Sequence, residues 1–226
     1  MTDATTEIKK AWNIIAVGPH SVIELRPIWP KGVPGQKFER TKHFRVASYG
    51  SVGKCKEAFE KAALELNRQG FNIYTVMNPI RSDFSGPGAA KDSDIVYRDL
   101  LLIDIDRMGD TSVPANEAEL EAAQALAQRV SGEMTERGWR EPIVVMSGNG
   151  YHLYHELVDV GNTPDAEAMV RGALTSLASS FNNEIVGVDT TVYNASRITK
   201  VPGTIMRKGI ATEDRPYRMA VVCDDC

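Results

Sequence analysis

The segment YRDLLLIDID, residues 97–106, constrains the fold of this chain more than any other stretch. Its apolar side chains occupy successive positions from Leu100 to Ile103, so a strand here would be apolar on both faces. Such a strand is typical of the interior of a sheet that is covered on both sides. The segment therefore predicts a strand with a neighbour on each edge, inside a layered fold.

Helix-like and strand-like patterns alternate along the rest of the chain, which predicts a mixed α/β fold with hairpins. Three long segments have the apolar spacing of a helix: residues 51–70, 116–138 and 163–182. Ser51 and Thr163 are suited to cap the first and third of them, and a short helix is predicted over residues 6–15. Strands are predicted over residues 21–28, 42–48, 71–77, 197–208 and 217–223, and a pair of strands around a Gly turn over residues 141–157.

Length and composition place the chain among ordinary globular proteins. It has 226 residues, 42% hydrophobic and 25% charged, which fits one large domain or two small lobes. No apolar stretch approaches a membrane span, and the N-terminal MTDATTEIKKAWNII lacks the features of a secretory signal. We therefore expect no membrane partner and a cytoplasmic location. Cys223 and Cys226 are either half of a zinc site or simple surface cysteines, and the second interpretation is favoured.

Basic residues gather in two zones, although the net charge of the chain is -4. Between residues 26 and 56 the only acid is Glu39, and a second basic group lies near the C-terminus. Separate basic zones on an acidic protein suit a polyanion held in a groove, although ordinary solvated surfaces explain them equally well. The first zone comprises Arg26, Lys31, Lys37, Arg40, Lys42, Arg45, Lys54 and Lys56, and the second Arg197, Lys200, Arg207, Lys208, Arg215 and Arg218.

Asp104 and Asp106 are two carboxylates at the end of the predicted buried strand. Residues two apart on a strand point to the same side, so both carboxylates project from one face. Two such charges repel each other, and burial adds to the cost. A divalent cation such as Mg²⁺ or Mn²⁺ would relieve the repulsion and recruit phosphate oxygens. We favour this metal site over the alternative that the two acids merely end a strand.

The stretch SGNGYH, residues 147–152, predicts a turn that can approach an anion. Gly148 and Gly150 remove side chains, so backbone N–H groups can come close to a phosphate. Ser147 and His152 can each donate a hydrogen bond to it. The alternative is a hairpin with an incidental histidine. A zinc pair of His152 and His155 is set aside, because an offset of three places them on opposite faces of a strand.

The third stretch is VDTTVYNASRITKVPGT, residues 188–204. Asp189 stands between apolar residues and is either a further metal ligand or a turn acceptor. Arg197 and Lys200 offer positive charge for phosphates. Their offset of three would put them on opposite faces of a regular strand, so either the chain bends here or only one of them reaches the site.

In this order, the three stretches resemble the catalytic core of the archaeo-eukaryotic primase superfamily, in particular the primase-polymerases of phages, plasmids and other mobile elements. That family carries Asp-x-Asp or Asp-x-Glu on a strand, then a Ser-x-His type motif, then an aspartate after an apolar residue and a basic PGT segment. The matching pieces are IDID, SGNGYH, VD and RITKVPGT, with VIELRPI and the NP after FNIYTVM. The resemblance spans residues 20 to 210, and a full helix before Asp189 is a departure from the pattern.

The resemblance implies a DNA primase or DNA polymerase of two lobes, about residues 1–95 and 96–226, the second like the RNA-recognition-motif fold. It implies template-directed nucleotidyl transfer, with dNTP or NTP, primer and single-stranded DNA template as partners. Residues 26–56 would contact the template, and a helical or helicase region would follow in a longer protein. By the resemblance, Asp104, Asp106 and Asp189 would hold two Mg²⁺ or Mn²⁺ ions, and Ser147, Gly148, Gly150, His152, Arg197 and Lys200 would bind the triphosphate.

Two other functions use the same features. A nucleotide-sugar transferase could hold a metal-bound diphosphate on Asp104 and Asp106, and a non-catalytic nucleic-acid-binding module could reuse the fold. Tyr193 is a candidate for the contact that distinguishes ribose from deoxyribose, with a core position as the alternative.

Overall fold

The computed structural model describes residues 3–110 and 112–223, which contain five helices and eleven strands. The helices are α1 Ala4–Lys9, α2 Val46–Tyr49, α3 Val52–Arg68, α4 Glu117–Glu136 and α5 Pro164–Phe181, with 3₁₀ turns at Lys10–Asn13 and Asp92–Asp94. The strands are β1 Val22–Ile28, β2 Lys42–Arg45, β3 Asn72–Val76, β4 Tyr97–Arg107, β5 Ile143–Met146, β6 Tyr151–Gly161, β7 Val186–Val188, β8 Ile198–Lys200, β9 Ile205–Met206, β10 Arg218–Met219 and β11 Val221–Cys223.

The larger sheet has five strands in the order β11-β5-β6-β4-β7. Strand β4 pairs antiparallel with β6 on one edge and with β7 on the other, so the predicted interior strand is confirmed. Ile103 and Ile105 are fully buried in the core that contains apolar side chains of α4 and α5. The opposite face of β4, which carries Asp104 and Asp106, borders a cavity that is also lined by residues of the second sheet.

The smaller sheet has four strands in the order β2-β1-β3-β8. Leu25 and Ile73 are fully buried and belong to one core cluster with Phe59 of α3. Strand β8 pairs with β3, so residues 198–200 join the sheet formed by the N-terminal part of the chain, whereas β11 joins the larger sheet. The predicted lobe boundary near residue 95 stays a prediction. Strand β8 follows that boundary in the sequence but pairs in the sheet formed by the segment before it.

The helix caps follow the sequence signals. Ser51 Oγ accepts a hydrogen bond from Lys54 N, and Thr163 Oγ1 accepts one from Ala166 N. The strand predicted over residues 42–48 ends earlier, at Arg45, where α2 begins. Gly50 follows α2 with a φ of 73°, a conformation that glycine adopts readily, and the chain turns there into α3.

The structure bears on the predicted absence of a membrane span and on the C-terminal cysteine pair. Within residues 3–110 and 112–223, no helix is both long and apolar enough to cross a membrane. Cys223 lies in β11, whereas Cys226 lies outside the described residues, so the zinc interpretation of the C-terminal cysteine pair stays open.

Candidate active site

Residues that face one another on the neighbouring strands β6, β4 and β7 form two adjacent rows across the larger sheet. In the first row, Asp104 lies opposite His152 of β6, and the Asp189 N–H donates to the Asp104 carbonyl oxygen at 2.8 Å, extending the β4–β7 register. In the second row, Asp106 lies opposite Gly187 and close to Gly150. Directly opposed residues in antiparallel strands share a face. Sheet pairing therefore brings together residues from all three stretches that the sequence analysis selected.

A cavity of about 310 Å³ lies over these rows, between the two sheets. The larger sheet contributes the carboxylates and His152, and the smaller sheet contributes Tyr74 and residues of β8. Acidic and basic side chains therefore line the same cavity. Its lining comprises Ile28, Tyr74, Asp104, Asp106, Ser147, Asn149, His152, Arg197, Ile198, Lys200, Met206 and Lys208.

The ring of His152 is held from both sides. Its Nε2 lies 3.4 Å from Asp104 Oδ1, and its Nδ1 lies 3.0 Å from the Tyr154 hydroxyl and 3.2 Å from Thr199 Oγ1. Tyr154 and Thr199 also share a hydrogen bond, and all three side chains are buried. Because Thr199 belongs to β8, this buried network joins the two sheets beneath the cavity.

The two carboxylates have different electrostatic surroundings. Burial would raise the pKa of Asp104, but the hydrogen bond and charge of His152, with the charges of Arg197 and Lys208, outweigh it and lower that pKa below its usual range. Burial and then the charge of Asp104 raise the pKa of Asp106 to about 6. The pair therefore carries an excess of negative charge that a cation would neutralise.

Arg197 and Lys200 both line the cavity, so the predicted bend in the chain is the correct alternative. The Arg197 N–H donates to Asn194 O at 3.1 Å in a turn that precedes β8. Lys200 is 2% exposed, and its Nζ donates to Ile205 O at 3.2 Å and lies 5.6 Å from the centre of the Tyr74 ring. Burial, together with Arg207, lowers the pKa of Lys200 well below its usual value.

The cationic side of the cavity has unused capacity for an anion. Within the described ranges 3–110 and 112–223, no carboxylate forms an ion pair with Lys200, and Arg197 Nε is buried without an acceptor. Burial without an anionic partner disfavours the charged form of Lys200, and a phosphate group beside it would favour that form again.

The turn between β5 and β6 has tight packing at both of its glycines. Gly148 has a φ of 106°, and a Cβ there would lie 2.5 Å from the Cβ of Met206. Its N–H donates to the sulfur of Met146 at 3.0 Å, and Ser147 Oγ donates to Gly150 O at 3.2 Å. The glycines are thus explained by packing, and phosphate contacts by Ser147, Gly148 and Gly150 stay a prediction.

The backbone of Asp189 is next to Asp104 in the first row, but its carboxylate forms a hydrogen bond outside the cavity. Its Oδ1 accepts a hydrogen bond from Thr191 N at 2.7 Å, and the residue does not line the cavity. In the described part of the chain, no three His, Cys, Asp or Glu side chains are grouped so that they could hold one metal ion. Two of the three predicted carboxylates are therefore assembled at the cavity, and the role of Asp189 as a ligand stays a prediction.

Sequence reasoning missed three polar residues of the site: Tyr74, Asn149 and Lys208. Lys208 was counted in the second basic zone, and Asn149 lies inside SGNGYH, so both had a signal. Tyr74 had none, because only the facing of the two sheets brings β3 to the carboxylates. Tyr193, suggested for sugar discrimination, does not line the cavity, and its ring packs under the Arg171 guanidinium at 3.7 Å.

Comparisons with known proteins bear on the fold. No protein-family profile and no curated protein matches the sequence. Among solved structures, the primase-polymerase AEP domain of cyanophage S-2L matches with a TM-score of 0.52 and 16% identity, covering 98% of this chain and 90% of that one. The chain has the archaeo-eukaryotic primase fold. The primase RepB′ also matches, with a TM-score of 0.52 and 14% identity over 98% of this chain and 56% of that one.

In this primase fold, the cavity with Asp104 and Asp106 lies between the two sheets. The fold predicted from the order of the three stretches is confirmed. At 14–16% identity, the likeness extends to the fold alone.

Proposed function

We propose that this protein is a template-directed nucleotidyltransferase, a DNA primase or DNA polymerase that joins nucleoside triphosphates on single-stranded DNA. One observation carries the proposal. A single cavity is lined by the paired carboxylates Asp104 and Asp106 and by the cations Arg197, Lys200 and Lys208. A metal ion would neutralise the paired carboxylates, and the phosphate groups that it binds would lie beside the basic side chains. The cavity therefore fits a metal-bound triphosphate.

Mg²⁺ or Mn²⁺ is the cofactor that these residues fit. Asp104 and Asp106 supply hard oxygen donors, and burial together with the charge of Asp104 raises the pKa of Asp106, so a cation beside the pair would be favourable. Asp189, beside Asp104 in the first row, is the proposed third ligand. When bound, such ions supply charge neutralisation for the triphosphate and for the oxygen that attacks it.

The surrounding side chains bind and orient the nucleotide in the proposed reaction. Arg197, Lys200 and Lys208 hold the phosphate oxygens, and His152 is kept in place by Tyr154 and Thr199. The primer 3′ oxygen forms a bond to the α-phosphorus and its proton passes to solvent, while the bond to the bridging oxygen breaks and pyrophosphate leaves.

The first basic zone offers fewer cations to a template than its composition suggests. Arg26 donates to Glu24 at 2.8 Å, Arg45 donates to backbone carbonyls of residues 82 and 84, and Lys56 lies over the Trp12 ring. Lys37 is exposed, but its ammonium donates to Gln69 O at 3.1 Å. The other exposed members are Lys31, Arg40 and Lys54. We assign the template phosphates to these three residues, through contacts that read no sequence.

Primer extension tests the proposed function. We expect a labelled primer on a single-stranded template to be extended with nucleotides and Mg²⁺ or Mn²⁺, and the extension to stop on chelation of the metal. Asp104→Ala should lose extension with an unchanged circular dichroism spectrum. Asp110→Asn, an exposed position on the same segment, is the matched control and should retain activity.

Three results would reject the proposal. The first is equal extension by Asp104→Ala. The second is turnover of nucleotide sugars without primer extension, which favours a sugar transferase. The third is DNA binding that is indifferent to metal with no nucleotide incorporation, which favours a binding module.

Tyr154→Phe tests the positioning of His152. The variant keeps the ring but loses the hydroxyl that contacts His152 Nδ1. We expect the KM for nucleotide to rise about fivefold with a smaller change in kcat, because one neutral hydrogen bond is worth about 1 kcal/mol. Steady-state extension kinetics measure the split between KM and kcat. An unchanged KM together with a lowered melting temperature would show that the hydroxyl serves stability alone.

A further inference from the structure

We propose that Phe38 is a stacking platform for one base of the single-stranded template, outside the cavity. The inference rests on the proposed function and adds to it a named contact with the DNA. It concerns the loop of residues 29–41, here called the β1–β2 loop, which joins two strands of the smaller sheet.

Phe38 is 85% exposed, the highest value for a large hydrophobic residue in the described part of the chain. Such exposure of a full aromatic ring gains nothing from folding, because apolar side chains stabilise a fold only when they leave water. The other aromatic residue of the loop behaves differently. Trp29 packs edge-on against Phe71 with ring centres 5.4 Å apart, and its Nε1 donates to Val33 O at 3.0 Å. The loop therefore has its own packed centre, which does not include Phe38.

The residues on either side of Phe38 form hydrogen bonds that involve side chains. The Lys37 ammonium donates to Gln69 O at 3.1 Å and lies 5.3 Å from the centre of the Trp29 ring. Arg40 N donates to Glu39 Oε1 at 3.1 Å on the other side. The Lys37 side chain thus ties the loop to the end of α3, which reduces the conformational entropy lost when a partner stacks on the neighbouring ring.

The β1–β2 loop is joined to the rim of the cavity. It leaves β1 after Ile28, which lines the cavity, and Lys31 O accepts a hydrogen bond from Gly209 N at 2.8 Å. Gly209 follows Lys208, another lining residue. The first residues of the β1–β2 loop therefore lie at the rim of the cavity.

The charges around Phe38 identify the kind of partner. Lys31, Lys37, Arg40 and Lys42 lie in or next to the β1–β2 loop, against the single acid Glu39. One exposed ring among cations suits a nucleic-acid single strand, whose bases stack on aromatic side chains while its phosphates meet Lys and Arg. An apolar protein partner would require a broader apolar patch than one ring.

Binding of oligodeoxythymidine, measured by fluorescence anisotropy without nucleotide or metal, tests the platform. Phe38→Ala should weaken binding about tenfold, the loss expected for one base–aromatic stack, and Phe38→Trp should retain it. Because no charge is removed, the salt dependence of log Kd should keep its slope in Phe38→Ala. Arg40→Gln is the matched contrast and should reduce the magnitude of that slope by about 0.7.

An abasic nucleotide moved along the template locates the contact. The wild type should lose about tenfold in affinity at one position, and Phe38→Ala should be insensitive there. Equal affinity of Phe38→Ala and wild type would overturn the inference, as would an abasic effect that persists in the variant. Primer extension by the wild type is scored separately, so failure of the proposed function and failure of the platform give different results. Unchanged thermal unfolding of Phe38→Ala, expected for so exposed a side chain, excludes misfolding as the cause.

Discussion

Asp106→Asn is expected to abolish nucleotide transfer and yet to make the metal-free protein more stable above pH 6. The loss of activity, about 10³-fold or more, follows because Asn removes one of the two charged oxygen donors in the cavity. The gain in stability follows because burial and Asp104 raise the pKa of Asp106 to about 6. The native protein therefore holds an unfavourable charge at neutral pH that the variant lacks.

The sign of the pH dependence follows from the proton balance. Between the ordinary pKa of an aspartate and about 6, the folded state binds more protons at Asp106 than the unfolded state does. The free energy of unfolding of the wild type therefore falls as pH rises through this window. Asn has no proton to lose, so Asp106→Asn should flatten this part of the curve and gain about 1–2 kcal/mol at pH 7–8.

Urea unfolding at a series of pH values measures the effect, with Glu24→Gln as the control of opposite sign. Burial would raise the pKa of Glu24, but hydrogen bonds from His43, Ala90 and Arg26 outweigh it and lower that pKa. Loss of the Glu24 charge should therefore destabilise the protein at neutral pH. Added Mg²⁺ should stabilise the wild type more than Asp106→Asn. Lower stability of Asp106→Asn across pH 5–8 would contradict the proposed crowding of the two carboxylates.

Local features of the fold could be predicted from sequence because their causes lie within one segment. The four apolar residues before Asp104 predicted an interior strand, and Ser51 and Thr163 predicted helix starts that the structure confirms. The opposite faces of His152 and His155 follow from the alternation of a strand in the same way. His155 Nδ1 lies 3.2 Å from Arg140 O, on the face away from the cavity network.

Features that depend on the pairing of distant segments could not be predicted in this way. Nothing within RITKVPGT shows that its strand β8 adds to β3 rather than to the larger sheet, because register and partner are set by contacts across the fold. The place of Tyr74 in the cavity depends on the same event. The resemblance placed Asp189 near Asp104, and the register agrees, but the direction of its carboxylate depends on the turn at Thr191.

Gly150→Ala is expected to damage both the sheet and the site, since this glycine, just before β6, lies directly against the backbone of β4. A Cβ at Gly150 would lie closer than 3.0 Å to the backbone oxygen of Ile105 and 2.9 Å from Asp106 Oδ1. A backbone oxygen cannot swing aside, so β6 must move away from β4 beside the two carboxylates. We expect the free energy of unfolding to fall by about 3 kcal/mol and activity to fall about 100-fold even where the variant is folded.

Gly172→Ala is the matched control for this substitution. Gly172 is exposed in the middle of α5, and a Cβ there would meet no atom within 4 Å. Alanine in a helix interior should raise the free energy of unfolding by about 0.5–1 kcal/mol and leave activity unchanged. The two variants add the same methyl group, so opposite shifts in urea midpoint separate the contact at Gly150 from any general effect of alanine. A folded Gly150→Ala variant with full activity would show that β6 can move without disturbing Asp104 and Asp106, and that the proposed site tolerates a shift of the strand that carries His152.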